Sequence, residues 1–557
     1  MIEHRKLSRR DALVTLGAAA GAVLTPEARA SQVPVTDVVA RNDAAVEALL
    51  RTQITDAASA YRGSVADQVG LHSAGSAGNV AETMAASFVH PRSRFRGDGL
   101  LLDRIRLAAG FLERVQSPQG NIDLLATNFN SPPDTAFVVH GVATSARIAR
   151  LHGVPEIVQA LQPFLVKAGG GMAEGGVHTP NHRWVVSSAL AQVNELFPDP
   201  RFVRRIDQWL AEGVDIDADG QFTERSTLTY NVVTDRALLV MAAKLSRPAL
   251  MDPVRRNLEA LLYLLHADGE VVTEISRRQD QYTRGTVAGY WFPLTYLALK
   301  DGNGRFASLA RAAADGARLS TLLEYPELAG PLPVSAPLPD DFERQLTAIG
   351  IARIRRGPRS ATVILGGSSR LLTLRSGPVV LEGVRFATSF FGKGQFVPDV
   401  ASRDGAVYRL RQSLVAPYYQ PLPEPVTPET WATLREKRAH SEIARLEQSA
   451  EINETPRGFS LRVKSNGTPG VPLAIELTFR EGAELLGCTP IPGTEGAFLL
   501  ERGTGTCRAA GREIRFGPGL APHRYTQLRG AEPRLPGNSV YITGFTPFDS
   551  TVELECS

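Results

Sequence analysis

Sulfur and indole are scarce in this chain: 3 cysteines, 5 methionines and 4 tryptophans among 557 residues. The cysteines, Cys488, Cys507 and Cys556, are confined to the C-terminal part, and no C-x-x-C pair occurs. A dithiol redox motif is therefore absent, a thiolate nucleophile is not expected, and cysteine supplies no metal-ligand set. In an oxidising compartment Cys488 and Cys507 can pair, which leaves Cys556 over. A charge surplus is also missing, with 61 Lys+Arg against 58 Asp+Glu for a formal net charge of +3. A general nucleic-acid binder would carry a large basic excess. Attraction for a polyanion must come instead from a local basic cleft. Long apolar runs are lacking too. The run Ala12–Leu24 has 13 residues, against the roughly 20 needed to cross a bilayer. With 43% hydrophobic and 21% charged residues, the composition excludes a membrane bundle and a disordered chain.

That apolar run follows Ser8-Arg9-Arg10-Asp11-Ala12-Leu13 and precedes Ala28-Arg29-Ala30. A basic region, an apolar region and a small-residue cut in this order predict a twin-arginine signal peptide over residues 1–30. The alternative, a permanent N-terminal anchor, is opposed by the short, Ala/Gly-rich apolar stretch. Residues 1–30 hold five basic and three acidic side chains, so removing them lowers the formal charge from +3 to +1. The expected location is periplasmic or secreted, with no membrane attachment after cleavage.

The length predicts two domains. From Val38 to about Leu322 apolar residues recur at three- and four-residue spacing, as in Leu101, Ile105, Ala108, Phe111 and Leu112, the helical period. Helix starts recur at Ser131-Pro132, Thr179-Pro180, Ser226 to Tyr230 and Arg284-Gly285-Thr286, spaced 47–58 residues apart. That interval fits a helical hairpin plus two loops. Thr179 before Pro180 matches an N-cap followed by proline at the first helical position, and Asp134 is a further N-cap candidate. Stacked hairpins make either a closed or incomplete (α/α) toroid or an open solenoid. The polar clusters at the helix starts favour a toroid, whose inner-helix N-termini share one face and attract anions. Residues 31–324 are thus expected to be a toroid. Residues 325–340, rich in proline, are expected to be a linker. Residues 341–557 are expected to be an antiparallel β-sandwich, from short period-two segments such as Val379 to Ala387 and Leu473 to Phe479. Thr427 to Glu447 is expected to be helix or loop.

The chemistry-bearing residues cluster between Gly175 and Asn231. Asn181, His182 and Arg183 open one helix, while Glu224, Arg225 and Tyr230 open the next. Together these groups can hold an acidic sugar and move a proton. Removing the C5 proton of a uronate puts negative charge beside an existing carboxylate, so donors that neutralise that carboxylate stabilise the intermediate. Asn181 suits that role, and His182, if protonated, adds charge. Tyr230 suits the proton shuttle, given a cationic neighbourhood from Arg183, Arg225, Arg277 or Arg278. Alternatively His182 is the base and Tyr230 the acid. Structural roles stand beside each of these: Tyr230 as a helix anchor, Asn181 as a helix-terminus hydrogen bonder, Glu224 and Arg225 as an ion pair bracing the loop. His178 and His266 are expected to be structural. Asn130, Tyr282 and the run from Arg277 to Tyr282 are candidate substrate contacts. Lys393, in Phe390-Phe391-Gly392-Lys393-Gly394, is either a substrate contact or part of a hairpin turn.

Asn181-His182-Arg183-Trp184 at one inner-helix start, Tyr230 at the next, and helices followed by strands resemble the heparinase II/III-like polysaccharide lyases. The resemblance implies β-elimination at a uronate in an acidic polysaccharide or oligosaccharide, catalysed through Tyr230, His182 and Asn181. No cofactor is required, because asparagine or histidine can take the carboxylate-neutralising role, and no metal site is expected. The rival readings are a glycoside hydrolase using Glu224 or Asp134 as its acid, and a non-catalytic glycan-binding protein.

Overall fold

Prolines and short polar side chains set where the helices begin. In the computed structural model, which describes residues 34–557, twelve helices fill the first unit. They are α1 (Val35–Thr52), α2 (Ala74–Val89), α3 (Gly99–Val115), α4 (Pro132–Leu151), α5 (Pro155–Glu174) and α6 (Pro180–Leu196). They continue with α7 (Pro200–Ala211), α8 (Tyr230–Lys244), α9 (Met251–Leu261), α10 (Trp291–Asp301), α11 (Gly304–Ala312) and α12 (Leu319–Glu324). Proline is the first residue of α4 to α7, where its missing N–H costs nothing. Ser131 caps α4 by accepting from Asp134 N. Asp134 is therefore not the N-cap: its carboxylate sits one turn in and accepts from Ser131 Oγ and Asn128 Nδ2. Thr179 holds the N-cap position of α6, but its hydroxyl caps no backbone N–H and accepts from Asn181 Nδ2 instead.

Helices α2, α4, α6, α8 and α10 pack each on the next as an inner row, with α3, α5, α7, α9 and α11 as their outer partners. Helix α12 returns to pack on α1, α2 and α4, and one apolar core runs through the unit. This is an (α/α) toroid. The connections from outer to inner helices contain tight hairpins. One is β1 (Ile122–Leu124) with β2 (Asn128–Ser131) before α4; another is the bridge Ile216 to Phe222 before α8. Gly120 and Gly220 make these hairpins possible. Both have φ near +90° (+97° and +78°), and a Cβ would fall 2.1 Å from Lys167 O and 2.5 Å from Arg256 O, backbone atoms of the outer helices. The loop that leads to Tyr230 is thereby pressed onto α9.

Among the described residues the first unit comprises 34–265 together with Gly269–Leu338; the second comprises His266–Asp268 and Pro339–Ser557. The proline-rich stretch after α12 lies along α11: Ala336 N donates to Gly304 O and Arg311 to Pro333 O.

The second unit is built from β3 (Asp341–Leu346), β4 (Ile351–Arg356), β5 (Arg359–Ile364), β6 (Leu372–Ser376), β7 (Val379–Thr388), β8 (Val400–Asp404) and β9 (Val407–Tyr419). A short helix, α13 (Trp431–Arg435), separates β9 from β10 (His440–Thr455) and β11 (Gly458–Gly467). Then come β12 (Pro472–Phe479), β13 (Glu484–Leu486), β14 (Thr489–Pro490), β15 (Ala497–Leu499), β16 (Gly505–Ala509), β17 (Arg512–Gly517), β18 (Asn538–Phe545) and β19 (Phe548–Cys556). One sheet has the order β14-β15-β18-β12-β7-β6-β5-β4-β3 and the other β13-β16-β17-β19-β11-β10-β9-β8. All pairings are antiparallel except β15 with β18. Phe386, Leu477, Ile452 and Leu461 bring the inner faces together in one core, as a sandwich requires.

One expectation changes here, and one open alternative is decided. The stretch Thr427 to Glu447 is not all helix or loop: its second half enters β10, because cross-strand pairing with β9 from Tyr419 to Val407 outweighs its charge. Cys488 and Cys507 do not pair; all three thiols are free. Burial pushes Cys488 and Cys556 up to about 11 and Cys507 up to about 12, so they stay protonated.

Candidate active site

The inner-helix starts of α6 and α8 and the loop before α10 converge on one cluster. Two loops, 224–230 and 272–283, are joined by Arg277 N donating to Glu224 O (3.0 Å), Thr227 Oγ1 to Val272 O (2.6 Å) and Leu228 N to Asp280 Oδ2 (3.1 Å). Asp280 is buried and also accepts from Ser276 Oγ. Ser226 Oγ accepts from Tyr230 N at 2.9 Å, which fixes the first residue of α8. Arg225 adopts φ +50°, an unusual conformation for a non-glycine residue.

Tyr230 is half-buried. Its hydroxyl accepts from Gln279 Nε2 at 2.8 Å, and the Arg278 guanidinium lies 4.9 Å from its ring centroid. Arg278 also pairs with Glu224 at 3.2 Å, and the other Glu224 oxygen accepts from Asn181 Nδ2 at 2.6 Å. Tyr230 and Asn181, from neighbouring inner helices, are thus linked through Arg278 and Glu224. Glu224 is 7% exposed; burial raises its carboxyl above the ordinary range, opposed by Asn181 and Arg278. Arg225 lies near Arg277 and near the carboxylates of Asp217 and Asp219. Burial first, and then the Arg277 charge, lowers the Arg225 guanidinium from its ordinary value.

His182 is buried, with its ring edge-on to His178 (4.7 Å) and to Phe137 (6.3 Å). Burial, then the nearby His178 and Arg278, lowers its pKa to about 4, against a smaller upward pull from Asp134. The charge that a protonated His182 would add is not available: desolvation disfavours the cation, and the ring is neutral at neutral pH. The expectation for Asn181 is corrected. It is 3% exposed and its amide N–H groups go to Thr179 and Glu224, so it supports Arg278's partner and does not offer a free donor. Arg183, read as a substrate contact, is engaged within the fold. It pairs with Glu212 (2.9 Å) and Asp215 (2.8 Å) and lies over the Trp184 ring, tying the start of α6 to the end of α7. The carboxylate of Glu224 is met by Arg278, from 54 positions further along, and by Asn181, not by its neighbour Arg225.

Among the other candidates, Tyr282 lies in the joined loop at φ +60°. Asn130, at φ +47° in β2, accepts from Ser117 Oγ at 2.7 Å and is held within its own hairpin. Lys393 lies in a turn of the second unit, its N–H bonded to Phe390 O and its Nζ to Val415 O. Gln279 was not singled out from the sequence. Its only sequence signal is membership of the polar run Arg277 to Tyr282 ahead of an inner helix. Among the described residues no group of three or more His, Cys, Asp or Glu is arranged to hold a metal ion.

No protein-family model matches the chain, and no curated protein matches it. Among solved structures, it is similar to the chondroitin AC lyase of Streptomyces coelicolor A3 in complex with chondroitin sulphate. The TM-score is 0.55 at 13% identity, covering 96% of this chain and 80% of that one. It is also similar to a Paenibacillus xanthan lyase, with TM-score 0.50 at 11% identity, covering 86% of this chain and 51% of that one. The toroid followed by a β-sandwich is the fold of these polysaccharide lyases.

Proposed function

We propose that this chain is an exported polysaccharide lyase that cleaves a uronate-containing polysaccharide by β-elimination, with Tyr230 moving the proton. One observation carries the reading: a half-buried phenol at an inner-helix start, hydrogen-bonded to Gln279, with the Arg278 guanidinium stacked 4.9 Å from its ring. A phenolate is stabilised by an adjacent cation. Tyr230 Oη takes the C5 proton, and the C–H electrons move toward the uronate carboxylate. The C4–O4 bond then breaks as the C4=C5 double bond forms, and O4 takes the proton back from Tyr230. Charge gathering on the carboxylate needs donors aimed at it. Arg277 and Arg278 supply them, with Arg225 close by. Asn181 and Glu224 position Arg278, and neutral His182 with His178 walls the site. Lyases on acidic polymers sharing this fold support the substrate class.

The predicted signal peptide lies outside the described residues, and among the described residues no helix is long and apolar enough to cross a membrane. We expect export by the twin-arginine route, with N-terminal sequencing of the protein from its host showing cleavage after Ala30; an intact N-terminus would refute it.

The test is a screen of the mature protein against a panel of uronate polymers, reading the ultraviolet absorbance of the 4,5-unsaturated product. Turnover that Tyr230→Phe leaves at full rate would end the shuttle assignment. The raised Glu224 carboxyl is the one feature favouring a hydrolase. New reducing ends without ultraviolet absorbance would select it, and affinity without any turnover would select a binding protein.

A further inference from the structure

Exposed aromatic side chains of the second unit gather at one end of its longest hairpin, β9 with β10. On one face Trp431 is 49% and Tyr419 38% exposed; Tyr418 (57%) and Phe391 (47%) stand on the other face, because successive residues of a strand alternate. Phe391 packs edge-on to Tyr418 at 5.7 Å, and Tyr419 edge-on to His440 at 5.3 Å. On the Tyr419 face guanidinium groups are interleaved with the rings: Arg435, which also pairs with Glu436 at 3.0 Å, lies 5.5 Å from the Tyr419 centroid, and Arg438 4.5 Å from that of Trp431. Arg438 is fixed there by donating to Gln420 O at 3.0 Å.

The backbone is shaped to present these groups. Phe391 has φ +48° and is followed by Gly392 at +71°, a turn that holds the Phe391 ring outward. Lys393 pins that turn to β9 through Val415 O. In β10 the register shifts between Ser441 and Ala444, and Glu442 within the shift has φ +41°. A bulge of this kind re-aims side chains at a strand end, and a bulky residue held at positive φ needs surrounding structure to keep it there. Burying these rings in the sandwich core would have been the cheaper use of their apolar area.

We propose that this end of the sandwich is an accessory binding surface for an acidic polysaccharide chain. Ring faces open to water accept the C–H faces of sugar rings, and flat guanidinium groups beside them accept carboxylate or sulfate oxygens. The interleaving of the two is what distinguishes a chain of charged sugars from a purely apolar partner, which would meet a continuous apolar patch. The acidity of the polymer rests on the function proposed above; the presence of a sugar-binding surface does not.

Affinity electrophoresis of the full mature chain through gels holding chondroitin sulphate, hyaluronan or polygalacturonate, with dextran as the neutral control, tests it. The Tyr230→Phe background prevents turnover during the run. At least one acidic polymer retards the protein and dextran does not. The double variant Tyr419→Ala/Trp431→Ala weakens that retardation about tenfold, as expected for losing two aromatic contacts of roughly 0.7 kcal/mol each. Arg438→Gln, which keeps the rings, weakens it with a reduced dependence on salt. Absence of retardation by every acidic polymer, or equal retardation of the double variant with an unchanged melting temperature, overturns the proposal. So does binding to anionic lipid vesicles in place of the polymers. Retardation that needs Trp431, from a protein that eliminates no uronate polymer, leaves this surface standing and rejects the lyase.

Discussion

The two ends of the toroid's inner helices carry the same kinds of side chain and use them differently. At the end where α6 and α8 begin, Glu224 meets Arg278 and Asn181, and Arg278 is 29% exposed. Deeper along the same helices, Glu324 meets Lys244 at 2.8 Å and Thr144 at 2.8 Å, while Lys244 also meets Glu195 at 2.6 Å. The Glu324 and Lys244 side chains are 2% and 5% exposed. Burial acts on both carboxylates, yet Glu224 is raised from its ordinary value and Glu324 is lowered. The difference is the cation: Lys244 bonds Glu324 directly in a dry setting, whereas Glu224 shares Arg278 with Tyr230 at a wet rim. A carboxylate at the partly exposed rim can tune a cation that also meets Tyr230; one sealed from water with its lysine braces the fold.

Substitutions at the two ends sharpen the contrast. The largest effect is expected at the rim, where Tyr230→Phe lowers kcat by about 10²–10⁴-fold, the scale of one acid–base group, with the melting temperature unchanged. An altered melting temperature would make Tyr230 an anchor. At the dry end, Lys244→Met leaves Glu324 charged and unpaired and lowers stability by about 3–5 kcal/mol. Urea unfolding measures it, and the rate per folded molecule stays the same. Glu224→Gln keeps an acceptor for Asn181 but frees Arg278, so kcat falls by about tenfold, roughly 1.4 kcal/mol. Restoration of the full rate by Glu224→Asp would make the carboxylate's charge, and not its reach, the operative feature.

The smallest effect is on pH dependence. His182, at about 4 in the folded chain against an ordinary 6.5, binds fewer protons folded than unfolded between those values. Stability from its neutral form is complete above pH 6.5 and is lost as pH falls toward 4. His140, lowered to about 3 by burial, acts in the same direction and extends the loss further down. His182→Gln flattens the stability profile between pH 6.5 and 4; an unchanged slope would assign it to other groups.

Much of the toroid was legible because helical period, proline and capping residues act within a few positions of chain. Pro132, Pro180 and Tyr230 open helices where the sequence places them, and Val379 to Ala387 and Leu473 to Phe479 pair as strands. The site was legible only as a set of residue types. Arg183 sits beside Asn181 and was read with it, but Glu212 and Asp215 claim it from across the α6–α7 hairpin. Glu224 was read against its neighbour Arg225, yet it pairs with Arg278. The twin-arginine reading of residues 1–30 falls outside the described residues.

Local chemistry was enough to decide that helices come first and strands second, where each inner helix begins, and that the polar groups concentrate at those beginnings. Which groups stay free was decided by packing. An ion pair or a buried histidine is a contest among all groups within a few ångströms, and the winners here stand 29 to 54 positions apart in the chain. Only the folded toroid brings those competitors together, and with them the charge on His182 and the freedom of Asn181 and Arg278.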